Sequence, residues 1–446
     1  MNFFRVTLMS TLLYGFFPLA RAQKSTSGLF TPQGVLILDG ALDIEHPDLK
    51  ESLQLNQAEL LGQPGIDDDA NGFVDDVYGW NVNSHDANVY PDWIKNLYVL
   101  DHERARFLLD KYGRYVCGDY TAKVYFMQHQ QDWVPAWTLS SQSHATHLAG
   151  LIATESRGAA KIKSLDIFVS SAPPSSLVPR DALAGLRKSF QLFQSLDSNA
   201  ASPFDDEAQT KIVIDESNRY LSTESHEISN YVKASRMGVV NASLHVSELA
   251  IENFYDQMWK DDFKKRGLPP GTQRNAHQQL LFQSLVNASV EAYRHYWNEI
   301  VGNNPEVVFV VAAGNDNRNN DEEIIFPAQL STLFDNVITV GAVDVYGDKT
   351  RFSNKGTQSV LLGAPGVCIK STAPGGLYHT MTGTSQSTAS VSGVIAKLRA
   401  LRPDWSPKIL RETLLATVSV HDRLSGYFKS SGELNSDAAI QAASSP

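Results

Sequence analysis

The sequence runs to 446 residues, enough for one large domain or two ordinary ones. Its 42% hydrophobic and 20% charged residues are the proportions of a soluble globular chain. A formal net charge of −11, without a long run of Lys or Arg, excludes a general nucleic-acid binder, so no nucleic-acid partner is expected.

The chain opens with MNFFRVTLMSTLLYGFFPLARAQ: a basic Arg5, an apolar run from Val6 to Leu19, then small residues at Ala20 and Ala22. This is the pattern of a secretory signal peptide, residues 1–22, cut after Ala22. Pro18 and the short apolar core count against a membrane anchor, so none is expected after cleavage and the product is secreted or periplasmic. Roughly ten residues then precede the first strand, too few for a folded propeptide domain. Residues 23–446 read as one domain, with insertions about 51–142 and 172–233 that carry few strands of their own.

Four runs predict buried strands: GVLILDG (Gly34 to Gly40), GVVNASL (Gly238 to Leu244), EVVFVVAAGN (Glu306 to Asn315) and NVITVGAVD (Asn336 to Asp344). Apolar residues on both faces suit a parallel sheet covered on both sides. Within the first insertion, GIDDDANGFVDD places Asp67, Asp69 and Asn71 before Gly72 at the spacing of a cation-binding loop. Alternate oxygens ahead of a tight turn can wrap a hard cation such as Ca2+, as a structural ion; a metal-free acidic turn is the alternative. The twelfth position of the loop is Tyr78, which leaves Asp75 or Asp76 to supply the last ligand.

Ser195 to Gln209 reads as a surface loop, and the mixed-sign cluster Lys260 to Arg266 as a solvated helix face. Gln278 to Val301 repeats apolar residues at helical spacing and leads into the Val307 strand, as a crossover helix does. Near the end, Ser406 and Pro407 mark a helix start as N-cap and first residue. Strands alternating with helices predict an α/β fold. Cys117 and Cys368 are the two cysteines; two free, buried thiols are favoured over a single bridge, because a core of this size needs no staple.

Four short segments place a reactive residue at a strand end or helix start: Asp39 in ILDGALDIEHPDL, His144 in SHATHLAG, Asn315 in VVAAGND and Ser385 in GTSQSTASVSG. Working groups in open α/β sheets gather beyond the carboxyl ends of strands. An acid, a histidine, an amide and a serine are the parts of acyl transfer: the hydroxyl attacks, the imidazole takes its proton, the carboxylate fixes the imidazole, and the amide donates to the oxyanion. Each residue alone has a plainer role as a turn residue, a core histidine or a small packing residue.

In their order and flanks these segments resemble the motifs of the subtilisin-like serine proteases, with weaker echoes at FPA (Phe326), FSNKG (Phe352) and APG (Ala364). The resemblance covers most of Gly34 to Val418. It implies a subtilisin-like three-layer α/β fold with a mostly parallel central sheet flanked by helices. It also implies a secreted serine endopeptidase with Asp39, His144 and Ser385 as triad, Asn315 as oxyanion donor and a protein or peptide substrate. By the same resemblance Ser243, Leu244 and His245 lie on the strand that pairs with substrate backbone.

The departures are Gly40 and Ala41 after the acid, Ala145 after the histidine, His245 for a usual Gly, Gln386 after the nucleophile, and Ala389-Ser390 for Pro-His. They motivate the alternative, a catalytically weak or inactive domain that binds peptide or protein. Backbone strain at Ala41 and a narrower or polar pocket at His245 are the specific expectations.

Overall fold

The computed structural model describes residues 34–168, 202–269 and 271–445, with Leu183, Leu186, Arg187 and Phe190 between them. The signal-peptide reading, 1–22, lies outside the described residues, as does the first part of the 195–209 loop.

The strands are β1 (Gly34–Asp39), β2 (Gly79–Asn81), β3 (Lys161–Asp166), β4 (Val239–Ala242), β5 (Val246–Ser247), β6 (Val308–Ala312), β7 (Ile325–Phe326), β8 (Val337–Val343), β9 (Leu362–Pro365), β10 (Ile369–Ala373), β11 (Leu377–Met381), β12 (Ser419–Val420) and β13 (Gly432–Glu433). Among the described residues, nine of them form one sheet in the order β12-β13-β9-β8-β6-β4-β1-β3-β2. Every ladder in it is parallel except β12 with β13.

Among the described residues, the fully delineated α-helices are α1 (Gln57–Leu61), α2 (Asp92–Val99), α3 (His102–Val116), α4 (Tyr120–Gln128), α5 (Trp133–Gln142), α6 (His144–Glu155), α7 (Glu207–Ser235), α8 (Glu248–Lys265), α9 (Ala276–Gly302), α10 (Thr384–Leu401), α11 (Pro407–Ala416) and α12 (Ser436–Ser444). Strand periodicity divides the core between the two faces of the sheet. On β1, Leu36 and Leu38 pack with the α7–α9 layer, whereas Val35 and Ile37 pack with α6 and α10. On β6, Phe309 and Val311 take the first face, Val308 and Val310 the second. This is the three-layer α/β fold expected of the sequence. Ser406 caps α11 as predicted, its side chain accepting from Ile409 N–H.

The 51–142 stretch contributes β2 to the sheet edge, and its helices α2, α3 and α5 build a third core against the β10–β11 hairpin through Ile94, Tyr98, Leu108, Leu109, Ala373 and Leu377. Here the structure corrects the cysteine reading: Cys117 and Cys368 are bonded, with Cα atoms 5.5 Å apart across 251 positions of sequence. Burying α3 on the hairpin brings the two thiols together, which neither local sequence discloses. A bridge over so long a loop stabilises by about 5 kcal/mol in the chain-entropy account.

Two histidines in this region carry a stability prediction. His147 on α6 and His379 on β11 are buried, with Nε2 atoms 3.0 Å from the Ile369 carbonyl and 2.9 Å from Ser140 Oγ. Burial pushes their pKa values down from 6.5 to about 3 and about 4; for His147 the neighbouring His379 and His144 add to the effect. Below pH 6.5 the unfolded chain takes up protons that the fold refuses, so stability falls with acidification until pH reaches the folded values. The pair is expected to cost about 3–4 kcal/mol between pH 6.5 and 5. Urea melts across that window check it, and a midpoint unchanged between pH 7 and 5 contradicts it.

Candidate active site

β1 delivers Asp39, fully buried, at its carboxyl end. Both carboxylate oxygens face His144 Nδ1, at 3.1 and 3.0 Å, and Gly40 N–H donates to Oδ1 at 2.9 Å. A nitrogen held between carboxylate oxygens carries the proton, so the basic nitrogen of His144 is Nε2. The backbone N–H of Gly40 thus supports the carboxylate where a Ser or Thr hydroxyl is absent. Ala41 is buried at negative φ, so the expected strain does not arise. Ala145 packs in the core inside α6.

Ser385 is the second residue of α10 and only 6% exposed. In this rotamer its hydroxyl donates to the Ser243 carbonyl at 3.3 Å. Catalytic hydrogen bonds are often loose before substrate binds, and rotation about χ1 re-aims such a hydroxyl. His144, Asn315 and Ser385 line one cavity of about 280 Å³. The N-termini of α6 and α10 both open at it, adding partial positive charge.

Asn315 lies beyond β6, and its side-chain oxygen accepts from Thr384 N–H at 2.9 Å and Thr384 Oγ1 at 3.0 Å. Two donors on one oxygen settle the amide orientation and leave Nδ2 as the donating end. Gly314, at φ +108°, shapes this turn, and a Cβ there would sit 2.4 Å from Asn354 Nδ2. Asn354 clamps the turn: its Oδ1 accepts from Asp316 and Arg318 N–H, and its Nδ2 donates to the Ala313 carbonyl. The sequence contained this residue in FSNKG without disclosing its role.

Of the predicted substrate strand, β4 itself stops at Ala242. Ser243 and Leu244 are buried, and Ser243 Oγ both accepts from Asn241 Nδ2 at 3.1 Å and donates to the Ser385 carbonyl at 3.2 Å. His245 lies 2.8 Å from Asp316 Oδ2 through its Nε2, a polar bridge between the strand end and the Asn315 turn. The imidazole's hydrogen bond holds the Asp316 carboxyl below its usual range.

The acidic loop is separate from the cavity. Glu59, Asp67 and Asp69 each bring one oxygen within 4.8 Å of the others. Asn71 lies beside them: its oxygen accepts from Phe73 N–H, and its amide donates to Asp69 and Asp76. Of the other two acids, Asp76 is buried against Lys163 and Tyr231, and Asp75 accepts from Gly65 N–H. Glu59, buried on α1, joins Asp67 and Asp69 in this group and also accepts from Asp68, Asp69 and Asp75 N–H. It precedes the loop on another element, and no spacing signals it.

A family model described as the subtilase family matches residues 33–439. Subtilisin from Bacillus pumilus is 32% identical over 136 residues, 30% of this chain and 47% of its own length. Subtilisin-like protease 1 from Plasmodium falciparum is 22% identical over 395 residues, 85% of this chain and 40% of its own. The chain spans less than half the length of these curated relatives. Among solved structures, a cold adapted subtilisin-like serine proteinase covers 94% of this chain and 92% of its own, at 17% identity and TM-score 0.42. A lanthipeptide protease covers 93% and 90%, at 14% identity and TM-score 0.47.

Proposed function

The chain belongs to the subtilase family, and from that premise we propose that it is a secreted serine endopeptidase working through an acyl-enzyme on Ser385. The observation that carries the reading is the two-oxygen contact of buried Asp39 with His144 Nδ1 beside the cavity lined by Ser385 and Asn315.

In this mechanism His144 Nε2 takes the Ser385 proton as Oγ attacks the scissile carbonyl. Asp39 stabilises the imidazolium that forms. Asn315 Nδ2 and the Ser385 N–H donate to the oxyanion, each donor lowering the barrier by about 3–4 kcal/mol. His144 then protonates the departing amine, and water repeats the sequence on the ester. Secretion is supported by the leader pattern and by a disulfide, which persists in oxidising compartments. A serine-directed fluorophosphonate is expected to label Ser385 of mature protein; a folded chain that neither labels nor cleaves peptides contradicts the proposal.

The proposal includes a structural calcium ion at the acidic loop. Glu59, Asp67 and Asp69 would hold it, since three converging carboxylates suit a hard cation. Bound there it neutralises their mutual repulsion and fixes the loop. At a hundredfold excess over Kd it is expected to stabilise by about 2.7 kcal/mol. Chelation should lower Tm of the parent protein by several degrees and leave that of the Asp67→Ala/Asp69→Ala variant unmoved. Equal melting of both with and without Ca2+ removes the ion from the proposal.

A further inference from the structure

The catalytic cavity is closed on one side by the helical insertion. Tyr112 and Val116 of α3 and Trp137 of α5 line it, together with Met381 at the end of β11. Ser243, Leu244 and His245 do not. The cavity therefore lies on the other side of Ser385 from the end of β4.

The chemistry gives that side a meaning. The proton for the departing amine comes from His144, so the amine and the residue attached to it must lie on the His144 side of the scissile bond. Trp137 sits on the helix that runs through Ser143 directly into His144. The chain leaving Ser385 past His144 thus enters the space faced by Tyr112, Val116 and Trp137.

The wall is braced, so its shape is fixed before substrate arrives. At Gly113, α3 lies so close to β11 that a Cβ would stand 3.1 Å from Thr380. Ser140 of α5 is joined to His379 of β11 by a 2.9 Å hydrogen bond. Cys117, next to Val116, is bonded to Cys368, whose N–H donates to Thr382 Oγ1 at 2.9 Å. The apolar part of the lining, Tyr112, Val116, Trp137 and Met381, stands beside polar Ser140, Ser141, Thr380, Thr382 and Gln386, and the ring faces at Tyr112 and Trp137 favour a flat or bulky side chain on that apolar part.

We infer that this cavity is a specificity pocket for the residue immediately after the scissile bond, and that it takes a large apolar or aromatic side chain. The inference rests on the endopeptidase reading. Its test is a peptide series identical except for Phe, Leu, Gly or Asp at that position, read as ratios of kcat/KM. Wild type is expected to favour Phe or Leu over Gly and Asp by about 10- to 100-fold. Val116→Ala with Trp137→Ala should bring the Phe/Gly ratio within about threefold. Val116→Trp, which fills the space, should turn the preference toward Gly and serves where the double variant does not fold. A flat wild-type profile, or variants that keep the wild-type ratio, overturns the pocket while the labelled, cleaving enzyme stands. Wild type that neither cleaves the series nor labels at Ser385 overturns the endopeptidase reading and the pocket with it.

Discussion

Ser385→Ala is expected to abolish peptide hydrolysis, with kcat falling by about 10^6-fold. Without Oγ there is no acyl-enzyme, and water held beside His144 must attack instead; the loss corresponds to about 8 kcal/mol of barrier. The fold should tolerate the change. Ser385 is nearly buried at the start of α10, where alanine fits, and only the 3.3 Å bond to the Ser243 carbonyl is lost. That bond accounts for about 0.5–1.5 kcal/mol of stability. Peptide affinity should persist, since the walls of the cleft are intact. Turnover and binding measured on parent and variant together separate the enzyme from the binding-module reading. Equal binding with no turnover in either protein supports the module; a variant that keeps parental turnover removes Ser385 from the chemistry.

Asp39→Asn is expected to lower kcat by about 10^4-fold with little change in KM. The reason lies in the Gly40 N–H, which donates to Oδ1 at 2.9 Å. An asparagine would keep its carbonyl oxygen there and turn its NH2 group to His144. A donor facing Nδ1 drives the ring proton onto Nε2, the position that must receive the Ser385 proton. The base is then blocked, although its position barely changes. Turnover measured from pH 6 to 10 tests this, and a loss below about tenfold would mean that Asp39 does not set the tautomer.

The sequence disclosed the parts of the molecule that rest on local pattern. Apolar runs marked β1, β4, β6 and β8, and the polar residue at the end of β1 or just past β6 stood out because nothing in the sheet core needs it. Asn315 was visible, but its amide orientation was not, since that depends on Thr384 far along the chain. The wall of Tyr112, Val116 and Trp137 was hidden for the same reason: α3 and α5 acquire their role only by packing on a hairpin that follows much later. Cys117 with Cys368, and Glu59 with Asp67, are likewise pairs made by docking. Where a reading failed, tertiary contact had overridden a plausible local account.

The order of the proposed catalytic groups along the chain has a consequence for biosynthesis. Asp39 is made first, His144 later, and Ser385 long after both. The helix that carries Ser385 packs on the face of the sheet shared by β1, β6 and β8, so it has no seat until those strands are assembled. A chain still on the ribosome holds an acid and a base without a nucleophile. On the endopeptidase proposal, nascent chains would be unable to cut their neighbours or themselves, and the hydrolytic hazard would begin only once the late helix docks.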